Sequence, residues 1–275
     1  MTGVAVADLG GSSIRVARID GDDVVDRREE DTTDDPAQIV RLLRGVAGDA
    51  ETAVVGVPGR VDHANRRIGY PPNLDPAWAP MLDERALAEA VGLPVSLAND
   101  ADLAAVGEAL HVAGRAYEDV VFITLSTGVG AGVVLGGRLV RGRSSLAEIG
   151  HTVLDRHSLE TVEMLASGTA LGTLGGAPGP EVVARAVAGD AEAGAALTAV
   201  LEAAAVAVLN LVHVFSPQVV VVGGGLGRNG DLVLDPIRAL VAERGPRGLD
   251  VDVVGAALDD DAALVGARSW AAATS

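Results

Sequence analysis

The sequence predicts an α/β protein of two related domains with a cleft between them. Three observations predict it. An apolar run at 4–7 leads into the glycine turn Asp8-Leu9-Gly10-Gly11-Ser12-Ser13. A second apolar run at 120–125 leads into Thr127-Gly128-Val129-Gly130-Ala131-Gly132. After each turn the same succession follows, hairpin strands and then alternating helices and strands.

The elements follow in order. Residues 4–7, 15–19 and 23–28 read as three short strands joined by turns. Asp35-Pro36 opens a helix to about residue 46, an N-cap with Pro at the first helical position. Residues 53–57 form a buried strand ending at Pro58-Gly59, and 60–79 an excursion rich in Pro and Asn. A helix at 81–91 is closed by Gly92, and a strand at 93–98 follows. Asp100 or its neighbour caps the next helix, which runs to about 112 and ends at Gly114. The pattern then restarts with strands at 120–126, 131–135 and 138–140 and an irregular stretch at 144–155. Helices are expected at 158–167, 180–188 and 191–214, and a fully apolar strand at 218–222 runs into Gly223-Gly224-Gly225. A helix at 230–243, a strand at 249–254 and a helix at 261–273 complete the chain. The boundary is placed in 113–119, giving one domain of 1–114 with 261–275 and another of 115–260.

Composition narrows the function. Hydrophobic residues are 49% of the 275 and aromatics 2%, so the core is built from Ala, Val and Leu in closely packed layers. The formal net charge of −17 opposes binding to nucleic acid. A phosphate group here must be met by local donors and a metal ion, not by the overall field. All 21 basic residues are Arg, which excludes a Walker-type Gly-Lys loop and Schiff-base chemistry. The absence of Cys excludes disulfides, thiolate catalysis and Cys-ligated zinc. Residues 1–9 carry no basic leader region, and no run of about 18 consecutive apolar residues is found. The expectation is a soluble cytoplasmic protein with no membrane partner.

The two glycine turns carry the chemistry. Gly10 and Gly11 permit positive φ and leave no Cβ to obstruct a ligand, and Ser12 and Ser13 add hydroxyls. An ordinary hairpin turn explains Gly-Gly equally well. The second turn has glycines at three alternate positions, more than a hairpin needs. Asn99-Asp100 ends a strand and starts a helix, where α/β folds place ligands. Asp100 suits a general base for a hydroxyl; helix capping is its alternative role. Glu148, His151 and Glu163 are polar residues in an apolar stretch, suited to sugar hydroxyls.

Taken in order, these segments resemble the ROK family (repressor, open reading frame, kinase) of the actin-like sugar-kinase superfamily. ADLGGSSIRVARID is similar to the first phosphate loop, VVGVPGRVD to the family's Gly-x-Pro-Gly-x-Val-Asp, and PPNLDPAW to the Asn-Leu segment before the sugar site. LANDADLAAVGEAL resembles the catalytic Asn-Asp-Ala block and LSTGVGAGVVLGGRLVRG the second phosphate loop. AEIGH and EMLASG resemble sugar-contact motifs, and VVVVGGGLGRNGDLVLDPIR the adenosine-side loop.

The resemblance implies a two-domain actin-like (ribonuclease-H-like) fold and ATP-dependent phosphorylation of a hexose, glucose first, at its 6-hydroxyl. It implies Asp100 as general base. Asn99, Glu148, His151 and Glu163 would hold the other hydroxyls, with Gly59 and Asn73 near the sugar. Gly10, Gly11, Ser12, Ser13, Thr127 and Gly128 would cradle phosphates, Asp8 would act through Mg2+ or its water shell, and Gly224 would lie near adenosine. A homodimer is the family expectation.

One departure is large. The family usually carries a Cys-x-Cys-Gly-x-x-Gly-Cys zinc loop between the matched His and Glu. Here the segment 152–162 is short and has no Cys, so no structural zinc is expected; the substitute donor set would be His151, Asp155 and His157. A plain helix over 158–167 would then place Glu163. The alternatives are a sugar-responsive regulator or sensor without kinase activity, and a polyphosphate-dependent glucokinase. Against a repressor, the first strand begins near Val4 and leaves no room for a helix-turn-helix segment.

Overall fold

The computed structural model describes residues 3–21, 23–68, 71, 74–111, 113–144 and 147–274. The chain divides into two compact units. The first comprises residues 1–111, 140–146 and 261–275; the second comprises 112–139 and 147–260.

The first unit opens with β1 (Val4–Leu9), β2 (Ser13–Asp20) and β3 (Asp23–Asp31), then α1 (Ala37–Ala47) and β4 (Thr52–Val57). A small ribbon, β5 (Val61–Asp62) and β6 (Arg67–Ile68), precedes a 3-10 turn at Pro76–Trp78. Next come α2 (Glu84–Val91), β7 (Val95–Asn99) and α3 (Asp100–His111). The sheet order is β3-β2-β1-β4-β7. β2 is antiparallel to both β1 and β3, whereas β4 runs parallel to β1 and β7. Its central strands bury nearly every side chain, which is why they read as unbroken apolar runs. Trp78 pins the excursion between β4 and α2: its ring is fully buried and its indole N–H donates to the Thr33 carbonyl at 2.9 Å.

The second unit repeats that plan. β8 (Val120–Leu125), β9 (Val129–Leu135) and β10 (Arg138–Leu139) are followed by a 3-10 turn at Ile149–His151. Four helices come next: α4 (Val162–Ala166), α5 (Gly168–Gly175), α6 (Gly179–Val187) and α7 (Ala191–Phe215). Then come β11 (Val219–Gly223), the single turn α8 (Gly224–Gly227), α9 (Asp231–Arg244) and β12 (Asp252–Gly255). The sheet order is β10-β9-β8-β11-β12, with two antiparallel and two parallel pairings in the same sequence as in the first unit. The echo seen in the sequence is therefore an echo of strand order and direction. The last helix, α10 (Ala262–Thr274), belongs to the first unit, where it packs on α3, β1 and β4.

Several boundaries differ from expectation, each for a local reason. α2 starts three residues later than the apolar spacing suggests, because the Asp83 carboxylate accepts the Arg85 and Ala86 N–H groups and caps it there. The helix expected at 158–167 is only α4. Asp155 accepts the His157 and Ser158 amides, Leu159 has positive φ, and Thr161 caps the start. α5 was not anticipated; its glycines are poor helix formers, but the Ser167 hydroxyl accepts the Ala170 N–H and starts it.

α7 is long and apolar enough, by length and composition, to cross a membrane, which counting consecutive apolar residues did not reveal. Most of it is buried inside the protein. It packs against α4, α5, α6, α9 and β8, which accounts for its apolar face.

Candidate active site

In the first unit, strand register brings the assigned residues to one edge. Asp8 on β1 pairs with Gly56 on β4, and Val57 pairs with Asn99 on β7. Asp8, Gly59, Asn99 and Asp100 thus gather where three parallel strands end, the place an α/β sheet offers a ligand. Gly59 has φ +91, a conformation that favours glycine. Asn73 lies outside the described residues.

The turn between β1 and β2 is braced from within and from the far side of β3. The Gly10 N–H donates to the Ser13 carbonyl at 2.9 Å. Thr32 donates twice, its amide to the Ser12 carbonyl at 3.0 Å and its hydroxyl to the Gly10 carbonyl at 2.7 Å. Gly11 and Ser12 stand exposed at the tip, with Ser13 half-buried. A Cβ on Gly10 would sit 3.2 Å from the Ser13 carbonyl oxygen, so the tight turn itself favours glycine. Asp8 receives a hydrogen bond from Arg15 Nη1 at 3.3 Å, and Arg15 Nε donates to Glu29 at 3.2 Å. Arg15 therefore offsets part of the charge on the Asp8 carboxylate.

Asn99 and Asp100 divide their roles. The Asn99 side chain, 7% exposed, donates to the Gly59 carbonyl at 3.0 Å and accepts the Asp102 N–H at 3.0 Å. Asn99 is thus the residue that caps α3, and the capping alternative for Asp100 is filled by its neighbour. Asp100 is half-buried, and its Oδ1 accepts the Ala101 N–H at 2.8 Å.

In the second unit the loop after β8 is held from three sides. The Ser126 N–H donates to the Gly128 carbonyl at 2.9 Å. From the start of α5, the Gly168 amide donates to the Ser126 carbonyl at 2.6 Å and the Thr169 hydroxyl to the Thr127 carbonyl at 2.7 Å. From α4, Glu163 Oε2 accepts the Val129 N–H at 2.9 Å. From the 3-10 turn, Gly150 lies so near the Val129 carbonyl that a Cβ there would overlap it. Glu148 and His151 flank this contact; His151 Nε2 stands 3.8 Å from Glu148 Oε2, with the imidazole 60% exposed.

Gly224, with φ +83, abuts Thr124 and Leu125 at the end of β8, and a Cβ there would overlap their oxygens. Thr127, Gly128, Glu148, His151, Glu163 and Gly224 therefore form one neighbourhood on the second unit. Thr32, Gly150, Gly168 and Thr169 escaped sequence reasoning; for the last two, the Ser-Gly start of α5 was the available signal.

The short segment 152–162 is closed by hydrogen bonds. The Val162 N–H donates to the Thr152 carbonyl at 2.9 Å and the Leu154 N–H to the Glu160 carbonyl at 2.8 Å. Asp155 uses its Oδ1 on backbone amides of this tip. Among the described residues no group of three His, Asp or Glu side chains is arranged to hold a metal ion.

The ROK family model matches residues 4–274. A glucokinase of Thermotoga maritima is 31% identical, with 95% of each chain covered. An N-acetylmannosamine kinase of Shigella boydii is 33% identical, with 97% of each covered. The crystal structure of a ROK family glucokinase from Streptomyces griseus, in complex with glucose and AMPPNP, superposes with a TM-score of 0.84 at 28% identity, covering 98% of each chain. The fold is the two-domain actin-like one of ROK sugar kinases. From one end of its described length to the other, this chain belongs to the ROK family.

Proposed function

We propose that the protein is a sugar kinase that transfers the γ-phosphoryl group of ATP to the 6-hydroxyl of a hexose, with glucose as the preferred sugar and Asp100 as general base. The observation that carries this reading is the division of labour at the end of β7. Asn99 caps α3, so the adjoining Asp100 carboxylate is not required for that task. The Asp100 carboxylate takes the proton as the sugar oxygen bonds to phosphorus, and the bond to the ADP oxygen breaks.

Phosphoryl transfer asks the protein mainly to position groups and stabilise charge. The Gly10–Ser13 turn and the Thr127–Gly128 loop are braced by the hydrogen bonds described above, which favours their holding phosphates. Gly224 beside the end of β8 supports an adenosine position in the second unit. Glu148, His151, Glu163 and Asn99 offer donors and acceptors for sugar hydroxyls, and Asn73 is carried with them from the sequence. The carboxylates Asp8 and Asp100 share one sheet edge with the Gly10 turn, an oxygen-rich setting that suits Mg2+. When bound, Mg2+ supplies charge neutralisation on the phosphates. A homodimer acting in the cytoplasm completes the reading.

The test is a coupled assay of ADP release over glucose, mannose, fructose and N-acetylmannosamine, with ATP and polyphosphate as parallel donors. Highest kcat/KM for glucose with ATP supports the proposal. Absence of turnover on every sugar with ATP overturns it.

A further inference from the structure

Gly128 does not lie in the left-handed region, so backbone conformation does not demand a glycine there. Space does. A Cβ on Gly128 would overlap Glu163 Oε2, the oxygen that accepts the Val129 N–H at 2.9 Å. The second oxygen, Oε1, lies 3.8 Å from the same point and makes no hydrogen bond among the described residues. Gly150, between Glu148 and His151, abuts the carbonyl of the same Val129. One residue at the end of the loop, Val129, is thus held at its N–H by Glu163 and crowded at its carbonyl by the turn that carries Glu148 and His151.

From this we propose that Glu163 is a positioning residue whose carboxylate links the sugar side of the second unit to loop 126–129, so that bound sugar raises nucleotide affinity. The inference deepens the kinase reading and rests on it. A sugar hydroxyl donating to Oε1 immobilises the carboxylate. The Val129 amide, held by Oε2, is then ordered before nucleotide arrives. A ligand that meets an ordered loop loses less entropy on binding, and that difference is positive coupling. Gly128, on this account, is glycine for the sake of Glu163 as much as for a phosphate.

The experiment measures AMPPNP affinity by calorimetry, with Mg2+, with and without saturating glucose. It compares wild type, Glu163→Ala, Glu163→Gln, Gly128→Ala and the Gly128→Ala/Glu163→Ala double variant, with ligand-free melting of each. Expected is a gain in wild-type nucleotide affinity with glucose of about fivefold or more. Glu163→Ala and Gly128→Ala each abolish that gain, while Glu163→Gln keeps much of it because its amide oxygen still accepts from Val129. In the Glu163→Ala background Gly128→Ala weakens AMPPNP binding less than it does in the wild type, and the two melting shifts are non-additive.

The proposal is overturned if Gly128→Ala weakens AMPPNP equally with and without Glu163, or if glucose binds the wild type and leaves nucleotide affinity unchanged. A wild type that binds no hexose overturns the kinase reading along with the coupling. The ligand-free melting cycle then still shows whether Gly128 and Glu163 interact.

Discussion

Asn99 donates its side-chain amide to the carbonyl of Gly59 at 3.0 Å, tying the end of β7 to the turn after β4. The same side chain accepts the Asp102 amide, so each end of Asn99 makes one bond to the scaffold. Replacing the adjacent acid should therefore leave the helix start intact. Asp100→Asn should lower kcat by about a thousandfold, the middle of the range for losing a general base, while sugar affinity by calorimetry stays within a few-fold. Normal turnover by this variant would remove Asp100 from the chemistry.

Thr32 braces the first glycine turn through its hydroxyl. Thr32→Val removes the 2.7 Å bond to the Gly10 carbonyl at nearly constant size. The expected cost is about 1 kcal/mol of stability, with a raised KM for ATP and little change in KM for sugar. Equal changes in both constants would contradict a role confined to that turn.

Two helical glycines should respond to alanine in opposite directions. A Cβ at Gly266 on α10 would overlap the Leu103 carbonyl and sit 2.8 Å from the Gly107 nitrogen on α3. Gly194 on α7 has open space around it. Helix propensity favours alanine by about 0.5–1 kcal/mol at both. At Gly194 nothing opposes this and the melting temperature should rise. At Gly266 overpacking of about 1–3 kcal/mol or more outweighs it, and the melting temperature should fall.

His63 gives the first unit an acid sensitivity. Burial pushes its pKa down, the nearby Arg141 guanidinium pushes the same way, and Asp62 opposes them. Arg141 in turn stacks on Trp270, 3.8 Å from the ring centroid, and His63 lies 6.1 Å from that ring. A depressed folded-state pKa means the unfolded chain binds the extra proton first. The contribution is present above about pH 6.5, the unfolded value, and is lost as pH falls through the lower folded value. His63→Gln should flatten the fall in melting temperature between pH 7 and pH 5; a parallel curve would exclude His63 as its source.

The segment 152–162 is closed by backbone hydrogen bonds and by Asp155, in a chain with no Cys. Dialysis against a zinc chelator, followed by return of Mg2+, should leave both melting temperature and turnover unchanged. Loss of either, restored by zinc, would reveal a metal site of another kind.

Much of this molecule is legible in its sequence because its central strands are buried on both faces. Val219–Gly223 is buried at every position, and its run of valines is the apolar, β-branched pattern of a strand covered on both faces. That Asp100 and the two glycine turns stand at strand ends was legible for a related reason: each directly follows one of these apolar runs. Elements whose signal is a single cap were harder. Asp83 and Ser167 decide where α2 and α5 start, yet neither alters the apolar spacing around it. Contacts across long separations were not legible at all. Thr32 reaches Gly10 only because β2 and β3 fold back beside β1, and Glu163 reaches Val129 only once α4 lies by β9.

Helix α10 follows the whole second unit in sequence, yet it packs on β1 and β4, which precede that unit. On the ribosome, residues 147–260 are all outside the exit tunnel before the first unit can acquire its closing helix. The unit carrying Asp8 and Asp100 therefore lacks α10 until residues 147–260 have been made. A protease cut between β12 and α10 would unfasten that unit and spare the sheet whose sequence lies nearest the cut.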